Sequence, residues 1–163
     1  MTRLRTFLQR FQYEALLLLV MISLSAFIID WKSPVDSITY GFYLADYRLG
    51  ICSRMLIASL VSLLSGEKVT AGFLAALTLI SLLTAFFFTA VLLGRAIKTA
   101  GTELRPAVIA LALLYCCAGN SVMIYAYING MLDVYWYIFA ALAVLCVKNK
   151  GARWLVPLFC VLG

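Results

Sequence analysis

The sequence predicts an all-α, polytopic membrane protein. It has about five transmembrane helices, the last cut short, and a long first outer loop containing an interfacial helix. Three observations carry that prediction. The chain of 163 residues is 65% hydrophobic and only 12% charged, where a soluble domain has about a quarter of its residues charged. Several apolar runs reach or approach the ~20 residues that a membrane-crossing helix requires. Lysine and arginine cluster between some runs and are sparse between others, which orients the spans.

Residues 1–14 carry Arg3, Arg5 and Arg10 ahead of the run ALLLLVMISLSAFII, residues 15–29. A secretory signal has this shape, with Ser23 and Ser25 as a small-x-small cleavage site. Further spans follow, so the reading adopted is an uncleaved first helix whose arginines hold the N-terminus in the cytoplasm.

Whether 51–65 crosses the membrane fixes the topology. The run has fifteen residues, below the ~17 minimum. On a helix, Arg54, Ala58, Ser62 and Ser65 form a narrow small-and-polar stripe, and Cys52, Leu56, Leu60, Leu63 and Leu64 fill the broad opposite face. That pattern suits a helix lying at an interface or packed on other helices; a short span with a snorkelling arginine is the alternative. With 51–65 outside, spans over 69–93, 106–128 and 131–147 leave nine lysines and arginines in the cytoplasm (Arg3, Arg5, Arg10, Arg95, Lys98, Arg105, Lys148, Lys150, Arg153) and four outside. A spanning 51–65 reverses that bias, against the positive-inside rule. The expected localisation is therefore the plasma (inner) membrane, multi-pass, with 30–68 as one outer segment inside a single transmembrane domain, 1–163.

Local signals mark the element ends. Thr70 caps the second span and Gly94 suits its end. Pro106 opens the third, Asn129-Gly130 turns between two spans, and Asp133 falls in the first turn of the next helix. Thr78, Thr84 and Thr89 are expected to bond their own backbone carbonyls or neighbouring helices. After Arg153 the run WLVPLFCVLG, with Pro157 expected to kink it, stops after ten residues. The expectation is that the chain is the N-terminal part of a longer protein.

Composition also excludes function classes. The net charge of +6 is spread along the chain, and no patch is dense enough for nucleic acid. Five cysteines form no CxxC pair and histidine is absent, so neither a zinc site nor a disulfide framework is expected. No nucleophile–base arrangement or phosphate loop is present. The expected partner is the lipid bilayer.

Chemistry is expected in 30–68. Asp30, Asp36, Asp46 and Glu67 balance Lys32, Arg48, Arg54 and Lys68, interleaved with Trp31, Tyr40, Phe42, Tyr43 and Tyr47. In the stretch DYRLGICSR, Asp46, Arg48 and Arg54 lie within nine residues, with Gly50 allowing a turn before a helix. Arginine forks suit phosphate and a helix N-terminus adds donors. Asp46 would then act as a base or hold a divalent cation. The alternative is an Asp46–Arg48 or Asp46–Arg54 ion pair that only folds the loop. Asp30 ends the first helix, where bilayer boundaries commonly carry carboxylates. Asp133 faces the same compartment as Asp46, although a helix-start preference also explains it. Aromatic residues such as Tyr47 mark an interfacial belt or stack on a sugar.

This order of elements resembles the GT-C class of membrane glycosyltransferases, which use polyprenyl-phosphate-linked sugars. The matching features are the first helix at 15–29, the outer segment 30–68 with its membrane-lying helix, and the hairpins that follow. DYRLGICSR also resembles a stretch of uncharacterised bacterial multi-pass proteins of polysaccharide loci. The resemblance implies a catalytic carboxylate at Asp46 or Asp30. It implies that Arg48 and Arg54 hold the lipid-linked phosphate; Tyr47, suited to stacking on a sugar, and Asp133, on the Asp46 side, are the further substrate-binding candidates. No adjacent acidic pair follows the first helix, as it does in many GT-C enzymes. A transporter or flippase-like module and a non-catalytic membrane subunit are the competing readings.

Overall fold

The computed structural model describes residues 2–32, 35, 58–61, 63, 70–129, 132–147 and 149–162. Among them all regular structure is helical. Helix α1 covers Thr2–Ile28, α2 Ala71–Thr99, α3 Arg105–Cys117, α4 Ile124–Tyr127 and α5 Asp133–Val147. A 3-10 turn, Lys150–Leu155, then leads into α6, Val156–Leu162. Two helices, Arg10–Ile28 within α1 and all of α2, are long and apolar enough to cross a membrane.

Helix α2 begins where expected: the Thr70 hydroxyl accepts from Phe73 N–H at 3.2 Å, satisfying one of the free donors of the first turn. Its end differs from the sequence expectation. The helix runs past Gly94 to Thr99 and is capped at Ala100. Gly94 is used for packing instead. A Cβ on it would lie 2.6 Å from Glu14 Cδ, so α1 and α2 approach closely there because the side chain is missing.

Contacts give the helix directions. Arg10 and Glu14 of α1 meet Lys98, and Glu14 meets Gly94; stepping forward on α1 steps backward on α2, so the pair is antiparallel. Leu132, just ahead of α5, packs with Leu74, whereas Tyr135 and Tyr137 bond Ser81 and Thr89. The order is the same on both helices, so α5 runs parallel to α2. The core between them holds Leu17 and Met21 of α1, Leu82, Ala85, Phe86 and Ala90 of α2, Cys116 of α3 and Ile138 of α5.

Three elements depart from the expected spans. The run 106–128 is not one helix: α3 stops at Cys117, Ala118 is extended, and helix resumes only at Ile124. Thirteen residues in α3 and fifteen in α5 are each short of the ~17 that a crossing helix needs. Pro157 sits in the first turn of α6, where a missing N–H is harmless, and the chain bends ahead of it through the 3-10 turn. Pro106, by contrast, occupies the first turn of α3 as expected.

Of the 51–65 run, residues 58–61 and 63 are helical. Ala58 and Val61 are buried, and Leu60 and Leu63 are exposed. Val61 packs with Leu74 and Leu132. Ala58 and Val61 thus lie against the protein while Leu60 and Leu63 point away, as in a helix packed on its neighbours.

Candidate functional site

The bundle has two chemically distinct ends. At one lie the close of α1, the start of α2 and the start of α5; Asp30, Trp31 and Lys32 belong to it, as does Asp133. At the other lie Arg10, Arg95 and Lys98, followed by Arg105 and Arg153, the last beside the end of α5.

Two of the predicted site residues fall at the first end. Asp30 Oδ1 accepts from Lys32 N–H at 3.0 Å, an Asx turn that ends α1. Trp31 Nε1 donates to Ala26 O at 2.9 Å, folding the indole back on the helix. Asp133 lies in the first turn of α5, where the dipole favours a carboxylate, and is an electrostatic neighbour of Tyr125. Antiparallel α1 and parallel α5 thus bring both carboxylates to one end of the bundle. Asp46, Tyr47, Arg48 and Arg54 lie outside the described residues, as do Asp36, Tyr40, Phe42 and Tyr43. Among the described residues no group of three His, Cys, Asp or Glu side chains could hold a metal ion.

Two polar arrangements went unread in the sequence. The first is a seam of hydroxyls between α2 and α5. Ser81 Oγ lies between Leu77 O (2.8 Å) and Tyr135 Oη (2.9 Å). Thr89 donates to Ala85 O at 2.8 Å, which leaves its oxygen to accept from Tyr137 at 2.6 Å. Tyr125 and Tyr137 are in ring contact at 5.7 Å. The threonine expectation was met: Thr78 and Thr84 bond Ala75 O and Ile80 O, and Thr89 bonds both its own helix and a neighbour. The tyrosine partners had no sequence signal, because interfacial aromatics and buried hydroxyl partners look alike in one chain.

The second arrangement is ionic. Lys98 Nζ lies 2.5 Å from Glu14 Oε1 and donates also to Arg10 O. It sits 5.3 Å from the Phe11 ring centroid, within cation–π range. The Glu14 side chain is 13% exposed and that of Lys98 34%. The other carboxylate oxygen of Glu14, Oε2, is buried without a hydrogen-bond partner among the described residues. Beside this pair a groove of about 620 Å³ opens between α1 and α2, with Arg10, Arg95 and Lys98 on its walls together with Phe11, Tyr13 and Val91. A lone glutamate at the threshold of an apolar run, four residues after an arginine, was the available signal.

No protein-family model, curated protein or solved structure matches this chain.

Proposed function

We propose that the chain belongs to a multi-pass protein of the bacterial plasma membrane, N-terminus in the cytoplasm, that transfers a sugar from polyprenyl phosphate at the outer face. The supporting observation is that segment 30–68 leaves α1 and rejoins α2 at the same end of the bundle, where Asp133 also lies. A carboxylate-rich, arginine-bearing segment tethered at both ends beside a further carboxylate can surround a phosphate-linked sugar. In this reading Asp46 or Asp30 is the catalytic carboxylate. Arg48 and Arg54 hold the lipid-linked phosphate, and Tyr47 and Asp133 contact the sugar. The opposite end, with Arg10, Arg95, Lys98, Arg105 and Arg153, takes the cytoplasmic side. Large apolar side chains left in the open, among them Phe27, Leu19, Ile80, Leu111 and Val161, support a lipid surround.

The test is transfer of labelled sugar from polyprenyl phosphate by the whole protein in membranes. Asp46→Asn and Arg54→Ala are each expected to lower transfer by two orders of magnitude or more, roughly the share of one charged transition-state contact. Unchanged transfer and unchanged surface glycan in both variants remove the proposal.

One observation favours a second reading, a transporter or flippase-like module. The backbone is broken between Cys117 and Ile124, where Gly119, Asn120 and Ser121 stand. Broken helices at membrane depth line cavities in transporters. Loss of lipid-linked sugar translocation in an Asn120→Leu variant, with transfer intact, would select that reading.

A further inference from the structure

We infer that the groove between the N-terminal half of α1 and the C-terminal third of α2 binds the phosphodiester headgroup of an anionic phospholipid. The inference rests on the membrane reading and is independent of sugar transfer.

Charge is the first argument. Three cations, Arg10, Arg95 and Lys98, line the groove against one carboxylate, Glu14, an excess of two positive charges. Glu14 is already committed to Lys98. The guanidinium groups of Arg10 and Arg95 have no ion-pair partner among the described residues, and that of Arg10 rests 5.8 Å from the Phe11 ring centroid. Two planar forks facing one groove match a phosphate's oxygens in a way that point charges do not. The other arginines near this end are used differently: Arg105 donates to Ala100 O at 3.4 Å and Arg153 to Val147 O at 2.9 Å, each on backbone at a helix end.

Preorganisation is the second. Lys98 is fixed by three groups at once: the Glu14 carboxylate, the Arg10 carbonyl and the Phe11 ring. Gly94 lets Glu14 lie against the α2 backbone, which holds the carboxylate beside Lys98. An anion entering there meets Glu14 already neutralised.

The apolar walls decide between a lipid and a free phosphate. Phe11 is 40% exposed and lies with Tyr13 and Val91 on the groove. Beyond it α1 and α2 continue as the two helices long and apolar enough to cross a bilayer. A headgroup at the arginines leaves its acyl chains running along those exposed faces, whereas a free phosphate uses only the arginines. Basic pockets between helices at the cytoplasmic surface are suited to anionic lipids on these grounds.

The test is native mass spectrometry of the full chain purified in neutral detergent, titrated with phosphatidylglycerol or phosphatidylcholine. Wild-type protein is expected to retain phosphatidylglycerol about tenfold more tightly than phosphatidylcholine, and the double variant Arg10→Gln/Arg95→Gln to lose roughly that factor. Arg105→Gln/Arg153→Gln removes equal charge from the same end and is expected to leave the preference intact. Arg95→Lys, which keeps the charge and loses the fork, is expected to fall between. Equal losses in both double variants would mean diffuse attraction to a basic end and would overturn the site. Displacement by millimolar inorganic phosphate would overturn it in favour of a free-anion site, and so would absence of any lipid preference in the wild type. Alkaline carbonate extraction of the cell membranes separates these failures from failure of the membrane reading, because an extracted chain is not embedded at all.

Discussion

Helix α2 meets α1 through a glycine and an ion pair, and meets α5 through two pairs of hydroxyls. The difference follows depth. Lys98 lies near the end of α2 with about a third of its side chain exposed, so its charge keeps part of its hydration. Thr89 and Ser81 lie farther in and are buried. A full charge there faces a desolvation penalty that pairing rarely recovers. A hydroxyl already bonded to its own helix carbonyl has a second site to offer a tyrosine at little cost. One helix therefore uses charge where water reaches it and neutral hydrogen bonds where it does not.

The largest expected effect concerns the two ends themselves. With native cysteines removed, Ser37→Cys is expected to react with a membrane-impermeant thiol reagent in intact cells, and Thr102→Cys only after permeabilisation. The reverse pattern would turn the bundle over, and labelling of both would refute a membrane between them.

The α1–α2 contact is expected to break most sharply at Gly94. Gly94→Leu should destabilise the bundle by roughly 1–3 kcal/mol, measured as a lower thermal midpoint in detergent. Gly94→Ala should lose less, since the helix regains about 1 kcal/mol of propensity while Glu14 is pushed off Lys98. A Gly94→Leu midpoint equal to wild type would show that the close approach at this glycine carries no energy.

Glu14→Gln removes the counterion of Lys98 and is expected to cost on the order of 1 kcal/mol. Because Lys98 is partly exposed, the gap between variant and wild type should narrow in 1 M salt. A salt-independent gap would assign the effect to packing. The α2–α5 seam should yield smaller numbers. A double-mutant cycle of Thr89→Val and Tyr137→Phe is expected to give a coupling of about 0.6 kcal/mol, reaching ~1.7 kcal/mol at most. Zero coupling would mean the hydroxyls merely coexist. Thr84→Val marks the lower bound: this half-buried threonine bonds Ile80 O of its own helix, and its replacement should stay within ~0.5 kcal/mol.

Local chemistry was readable wherever it depended on near neighbours in the chain. Thr70 as a cap, Pro106 in the first turn of α3, Asp133 in the first turn of α5 and the back-bonded threonines each rest on contacts within four residues. Gly94 was misread because a glycine near the end of an apolar run signals a cap, while its use here depends on Glu14, eighty residues earlier. The break after Cys117 was hidden by the length of the apolar run: 106–128 is long enough to span, although the backbone turns at Ala118, ahead of Gly119, Asn120 and Ser121. The leading site residues, Asp46, Arg48 and Arg54, stand on sequence reasoning alone, whereas Asp30 and Asp133 have a common address at one end of the bundle.

The sequence by itself determined the helical class, the two long apolar helices and the segregation of basic residues, since composition and period are properties of single segments. Only the tertiary structure decided which segments meet. The antiparallel α1–α2 contact joined Glu14 to Lys98 and left two arginines on an open groove. The parallel α2–α5 contact joined Thr89 to Tyr137. Those pairings depend on side-chain shape and helix direction over long chain separations, and no local pattern encodes either.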